Sequence, residues 1–346
     1  VLAMGYTYNQ ALVIVFISGI FFIVITAVGL REAIIRSIPD AVKMAITPGI
    51  GLFITIIGLK NSGLVVGNSA TLVSMVDFAQ WRSEDGDVSL ICGALVALIG
   101  LIVIGVLNAR NVKGSIIIGI LVATAAGIPL GVTKLSSFDM NLGAKFSDFA
   151  EVSLFKMDFA GLFAGENIVS TIFTVVMLVL SFSLVNMFDS IGTLMGAARQ
   201  SGMIDENGEI IHMKEALMSD AISTAAGAMV GTSTVTTVVE SSAGIAAGGR
   251  TGMTSLVTAV MFLASIIFAP IVSIVPGQAT APALIFVGIL MLSNIKEVDF
   301  SEMSNALPAF CTVVFMPFTY SIANGVAVGL ITYCFMKLFT GKAREI

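Results

Sequence analysis

Charge is what this chain has least of. Asp, Glu, Lys and Arg make up 11% of its 346 residues, against about 25% in a soluble globular domain. With 17 basic and 22 acidic side chains the net charge is −5, and there is a single histidine. That balance lacks the basic footprint that nucleic-acid binding requires. The three cysteines, Cys92, Cys311 and Cys334, are scattered in apolar context without metal-ligand spacing. They read as packing residues. No catalytic triad and no glycine-rich phosphate loop after a strand can be found, so no enzyme, metal or cofactor is expected. What the chain has is hydrophobicity: 57% apolar residues and a mean hydropathy of +1.01. The class this implies is a polytopic membrane protein.

Apolar runs near the 20-residue length that crosses a bilayer recur along the chain. Spans are expected at 11–30, 88–107, 114–132, 170–195 and 216–230. Two more are expected within 250–295, divided by Pro276-Gly277, and two within 303–336, broken near 317–324. Residues 44–59 form a short span interrupted by Pro48, Gly49 and Gly51. Between these, REAIIRSIPDAVK reads as an amphipathic connector and 63–76 as a surface or re-entrant segment. The acidic loop 77–87 carries Trp81, an interfacial anchor. Residues 134–166 read as amphipathic helix lying on the membrane surface. The tight loop NARNVK carries Arg110 and Lys113 and no acid, which places it in the cytoplasm. Loop 197–214, Lys296 and the tail with Lys337, Lys342 and Arg344 then fall on the same side. About eleven membrane elements result. Because that number is odd for a symmetric transporter, and the chain opens on Val1 almost within a span, an upstream portion is expected to be missing.

The stretch GTSTVTTVVESSAGIAAGGRTG, residues 231–252, changes character midway. Thr and Val in its first half favour extended chain, while Ser, Ala and Gly in its second allow close helix approach. Glu240 sits at the join, with no other charge between Asp220 and Arg250. This pattern predicts a broken membrane element, half strand and half helix. Irregular backbone at that depth is tolerated where it lines a cavity, and such elements bind substrates in transporters.

An ionisable group at bilayer depth is costly and is by default a functional residue. Glu240 is one. Asp189, in NMFDSIGTLMG after a charge-free run from 167 to 188, is the other. Both elements run from outside to inside, so the two carboxylates could meet near the midplane, hydrogen-bond substrate N–H groups and exchange a proton. The bland alternative is helix-bundle glue, each acid satisfied by nearby Ser, Thr or Asn. Backbone N–H groups at the start of the half-helix, 241–244, suit the carbonyl oxygens of a polar ligand. Asp220 reads as an interfacial charge and His212 as solvated.

Five stretches carry a family resemblance: MGYTYNQALVIVFISGIFF, REAIIRSIPDAVKMAITPGIGLFITIIGLKNSG, NMFDSIGTLMGAARQSGMID, the broken element itself, and PAFCTVVFMPFTYSIANGVAVG. The chain resembles the nucleobase cation symporter-2 (nucleobase–ascorbate) superfamily and, within it, the AzgA-like adenine/guanine/hypoxanthine permeases. The resemblance implies an all-α polytopic fold of two inverted repeats of seven elements, with a core and a gate domain and a short strand–half-helix element. By resemblance this chain holds elements 4–14 of 14. Residues 88–132 and 170–250 would belong to the core, and 44–60 and 251–341 mostly to the gate. Lacking elements one to three, the polypeptide as it stands is not expected to transport. Asp189-Ser190-Ile191-Gly192 matches the family's Glu-x-x-Gly-like motif with Asp for Glu. Glu240 takes the place of the tenth-element acid or Gln, with Ser241 where Asn is usual and the first Gly one residue late, at Gly244. The implied function is import of purine nucleobases (guanine, hypoxanthine, adenine) across the cytoplasmic membrane by proton symport. Asp189, Glu240, Ser241 and Ser242 would bind the base, Phe188 would offer it a flat face, and the two acids would carry the coupling proton. The implied partners are the purine, the proton, the lipid bilayer and a second copy in a homodimer. An anion transporter or channel on the same fold is the alternative.

Overall fold

Helix α1 (Tyr8–Ala27) begins at a capping box, in which the Thr7 hydroxyl accepts from the Gln10 amide and the Gln10 side chain accepts from the Thr7 amide. Two backbone donors that a helix start leaves orphaned are thereby satisfied. Gly29, at a φ of 79° that only glycine adopts without strain, turns the chain into α2 (Leu30–Ser37). This computed structural model describes residues 6–82, 88–134, 147, 149–163, 168–205, 210–238, 241–246, 248–268, 272 and 274–342.

Pro39 ends α2, and its carbonyl opens α3 (Asp40–Asn61) by accepting from the Val42 and Lys43 amides. This helix is longer than the short span expected, since it runs through Pro48. The proline removes one backbone donor, but a 22-residue helix with an acid in its first turn and a lysine in its last tolerates that loss. The segment after it is a surface hairpin. β1 (Val65–Asn68) pairs antiparallel with β2 (Leu72–Met75), from Val65↔Met75 to Asn68↔Leu72. The Asn68 side chain accepts from the Ala70 and Thr71 amides and shapes the turn.

The remaining helices are α4 (Val88–Ala109), α5 (Ser115–Gly127), the single turn α6 (Phe159–Leu162), α7 (Ile168–Ser201), α8 (Met213–Val230), the half-helix α9 (Ser241–Ala246), α10 (Gly252–Ser265), α11 (Gly277–Leu292), α12 (Met303–Phe318) and α13 (Ile322–Phe339). Among the described residues six helices are long and apolar enough to cross a membrane, and three shorter ones are apolar. The breaks expected at Pro276-Gly277 and between 318 and 322 are present, at the start of α11 and between α12 and α13.

Two compact units divide the chain. One comprises 1–47, 141–250 and 297–346, the other 48–140 and 251–296. In the first, α1 lies along α8 at a glycine contact: a Cβ on Gly19 would stand 2.7 Å from the backbone nitrogen of Ala225. Helix α7 joins them through a buried Ser18–Ser183 hydroxyl pair at 2.9 Å. Leu162 packs with Val13, Ile14, Val175 and Val179. The described part of 134–166 forms short helical turns, at Phe149–Ser153 and α6, rather than one continuous helix. The Phe155 amide donates to Met229 O at 2.9 Å and the Asp158 amide to Asn9 O at 3.3 Å. These two bonds and the buried Leu162 tie the segment to α1 and α8, while Phe149, Val152 and Phe155 stay exposed. The hairpin of α12 and α13 closes where Gly325 faces the Met316 backbone.

The second unit groups α4, α5 and α11, again through small residues. Gly100 faces Pro282 and Ala123, and Gly51 of α3 faces the carbonyl of Gly288. In lipid, where apolar burial no longer drives helix pairing, such close approaches supply the packing. This unit holds 88–132 together with 48–61 and 251–296.

Candidate functional site

Helix α7 carries Asn186, Phe188, Asp189, Ser190 and Thr193 in its second half, and α8 crosses the same region with Leu217, Asp220 and Thr224 one turn apart. The contact between them is ionic. Asp220 Oδ2 accepts from Arg31 Nη2 at 2.7 Å and from the Ser190 hydroxyl at 2.9 Å. Arg31 Nη1 donates to Leu217 O at 3.1 Å, and the guanidinium lies 4.4 Å from the centre of the Phe22 ring. Arg31 has 0% and Asp220 1% of its side chain exposed. Asp220 is thus not the interfacial charge its place in the sequence implies, and Arg31 is not a surface residue of an amphipathic connector. Both are sealed from solvent where α2, α7 and α8 meet.

Asp189 is half-buried next to this pair and makes no side-chain hydrogen bond to a described residue. Its carbonyl accepts from the Thr193 hydroxyl at 3.0 Å. Phe188 is likewise half-buried. Arg31 and Asp220 neutralise one another, and Asp189 has no ion-pair partner among the described residues.

The broken element keeps its half-helix and lacks its strand. Residues 232–238 are neither helical nor paired to another strand. A β ladder needs a second strand, and here a side chain serves part of the backbone instead. The Thr224 hydroxyl reaches Val235 O at 3.2 Å and its own helix carbonyl, Asp220 O, at 3.0 Å. Helix α9 packs against α7, so the half-helix and the helix bearing Asp189 come together as expected. Ser241 is exposed at the start of α9, with its amide donating to Val238 O at 3.2 Å. The far end is held by Arg250, which donates to Ile245 O at 2.7 Å and Gly249 O at 3.1 Å. Glu240 and the side chain of Ser242 lie outside what the structure describes. A cavity of about 610 Å³ runs along the outer face of α8 at Lys214, Met218 and Ile222 and includes none of the expected site residues. His212 is exposed, as expected.

The Permease family profile matches residues 1–328. The chain belongs to that family. Its relatives extend the match over nearly all of its length. A permease of Methanocaldococcus jannaschii, MJ0326, is 41% identical over 98% of this chain and 72% of its own. The adenine permease AdeQ of Escherichia coli K12 is 38% identical, covering 99% and 72%. The guanine/hypoxanthine permease PbuO of Bacillus subtilis is 38% identical, covering 99% and 75%. This permease is therefore a multi-pass membrane transporter and not an enzyme, and six of its described helices are long and apolar enough to cross a membrane.

Sequence reasoning missed Arg31 and Asp220. The available signal was depth: Arg31 directly follows a 20-residue apolar helix, and Asp220 opens a charge-poor stretch that ends at Glu240. Nothing in the linear pattern joins two residues 189 positions apart.

Proposed function

We propose that this permease carries purine nucleobases across the cytoplasmic membrane in symport with protons, with Asp189 and Glu240 hydrogen-bonding the base and holding the coupling proton. The observation that carries the reading is the half-buried Asp189, without a side-chain partner among the described residues, beside a self-neutralised Arg31–Asp220 pair. A purine edge offers N–H donors to a carboxylate, and a carboxylate at depth changes its charge by taking up a proton. Phe188, Ser241 and Ser242 contribute the flat face and the polar contacts in this reading. The relatives described as adenine and guanine/hypoxanthine permeases support the substrate class. The division into a core of 88–132 and 170–250 and a gate of 44–60 and most of 251–341 is part of the same proposal.

Uptake of labelled hypoxanthine and adenine tests it, with guanine, uracil and sulfate as competitors and with the proton gradient present or collapsed. Competition by purines alone, lost with the gradient, is the expected result. Asp189→Asn and Glu240→Gln are each expected to abolish uptake while leaving the amount of protein in the membrane unchanged. Competition by sulfate would move the assignment to anion transport, and normal uptake by both variants would refute the roles given to the acids.

A further inference from the structure

We propose that Arg31, Asp220, Ser190 and Thr224 form a positioning device, in which one buried ion pair sets the register of both Asp189 and the irregular segment that leads to Glu240. The inference rests on the role proposed above for those two acids. None of the four touches substrate in this reading. They act through the residues they hold.

Arg31 fixes the node first. Its planar fork is spread over two acceptors on α8, the Asp220 carboxylate at 2.7 Å and the Leu217 carbonyl at 3.1 Å, with the Phe22 ring against it. A guanidinium held at several points has lost the freedom that a lysine ammonium would keep. Asp220 then hands this fixed point to two other segments. On α7 the Ser190 hydroxyl donates to the same carboxylate oxygen at 2.9 Å. Consecutive helical residues are separated by roughly 100° around the axis, so pinning Ser190 toward α8 determines the direction in which Asp189 points. On α8 itself Thr224, one turn after Asp220, shares its hydroxyl proton between Asp220 O at 3.0 Å and Val235 O at 3.2 Å. That bond holds the middle of 232–238, a segment with no ladder partner of its own. Helix α8 carries no proposed ligand, yet it ties down both segments that do. A device of this kind explains why an arginine and an aspartate are kept in a dry interface, where an apolar pair of similar volume would be equally stable or more so.

Ser190→Ala and Thr224→Val each remove one tie and leave the ion pair intact, so both are expected to reach the membrane at wild-type levels. The experiment uses the full-length protein in cell membranes and has two arms. In the first, KM for hypoxanthine is expected to rise at least fivefold in each variant, with the maximal rate per molecule within twofold of wild type. In the second, Cys92, Cys311 and Cys334 are replaced by serine, and one cysteine is introduced by Asp189→Cys or Val238→Cys. The rate of alkylation by N-ethylmaleimide is then read with and without the second substitution. Ser190→Ala is expected to change the rate at position 189 at least threefold, and Thr224→Val the rate at 238. Unchanged alkylation at both positions overturns the inference whatever the uptake shows. Shifted alkylation with unchanged KM overturns it too, because the ties would then not serve the site. If the wild type takes up no purine while alkylation shifts as expected, the proposed substrate falls and the positioning device stands.

Discussion

Replacing Asp220 by asparagine leaves Arg31 charged, buried and without its counter-ion. The residue has 0% exposure, and its remaining strong acceptor is the Leu217 carbonyl. Removing one member of a buried pair costs about 3–5 kcal/mol, because the surviving charge stays desolvated. Arg31→Met produces the mirror situation, with Asp220 keeping only the Ser190 hydroxyl. The double variant Arg31→Met/Asp220→Leu removes both charges and fills similar volume, and such replacements are neutral or stabilising by about 1–4 kcal/mol. The structure therefore predicts strong non-additivity: two damaging single changes and a double change that recovers. Thermal unfolding of detergent-purified protein, together with the amount reaching the membrane, measures it. A double variant as unstable as either single one would refute the argument, as would an Asp220→Asn protein that melts with the wild type.

Two further outcomes follow from particular contacts. A methyl group at position 19 would stand 2.7–2.9 Å from the backbone and Cβ of Ala225, so Gly19→Ala must separate α1 from α8. It is expected to cost about 1–3 kcal/mol, seen as a lowered melting temperature, while alanine at the open Gly105 should change little. Near the C-terminus of α13, hydrogen bonds from Lys342 and from the Ser304 hydroxyl hold the Glu302 carboxyl below its usual range. A depressed carboxyl stabilises the clasp above its unfolded pKa, and that contribution is lost as pH falls through the lower folded value. A nitroxide attached after Thr340→Cys is accordingly expected to be immobile at pH 7 and to gain mobility below about pH 4.5. In a Glu302→Gln background its mobility should be independent of pH, and equal pH profiles in the two backgrounds would refute the clasp.

Much of the membrane organisation was legible because its causes are local. An apolar run of sufficient length crosses a bilayer wherever it occurs, and Pro276-Gly277 interrupts such a run without help from the rest of the chain. The depth of Asp189 was legible for the same reason, since a carboxylate near the middle of α7 has no route to water along its own helix. The change of composition at Glu240 likewise marked where a half-helix begins, and α9 starts at the next residue.

Other features depend on what each segment meets in space. Whether Thr232 to Val238 becomes a strand depends on a partner strand, and in its place the Thr224 side chain satisfies a backbone carbonyl. Pro48 read as a break because proline removes a donor, but α3 draws on enough remaining bonds to pass through it. Arg31 and Asp220 each looked like an end-of-helix charge, and their meaning lies in a contact across 189 residues that no periodicity encodes. Which segments are apolar enough to cross a membrane was readable from composition alone, since it follows from the cost of moving each residue type out of water. Which of the buried charges is cancelled depends on the fold, because cancellation requires a specific partner within hydrogen-bond reach: Asp220 finds Arg31, and Asp189 has no such partner among the described residues.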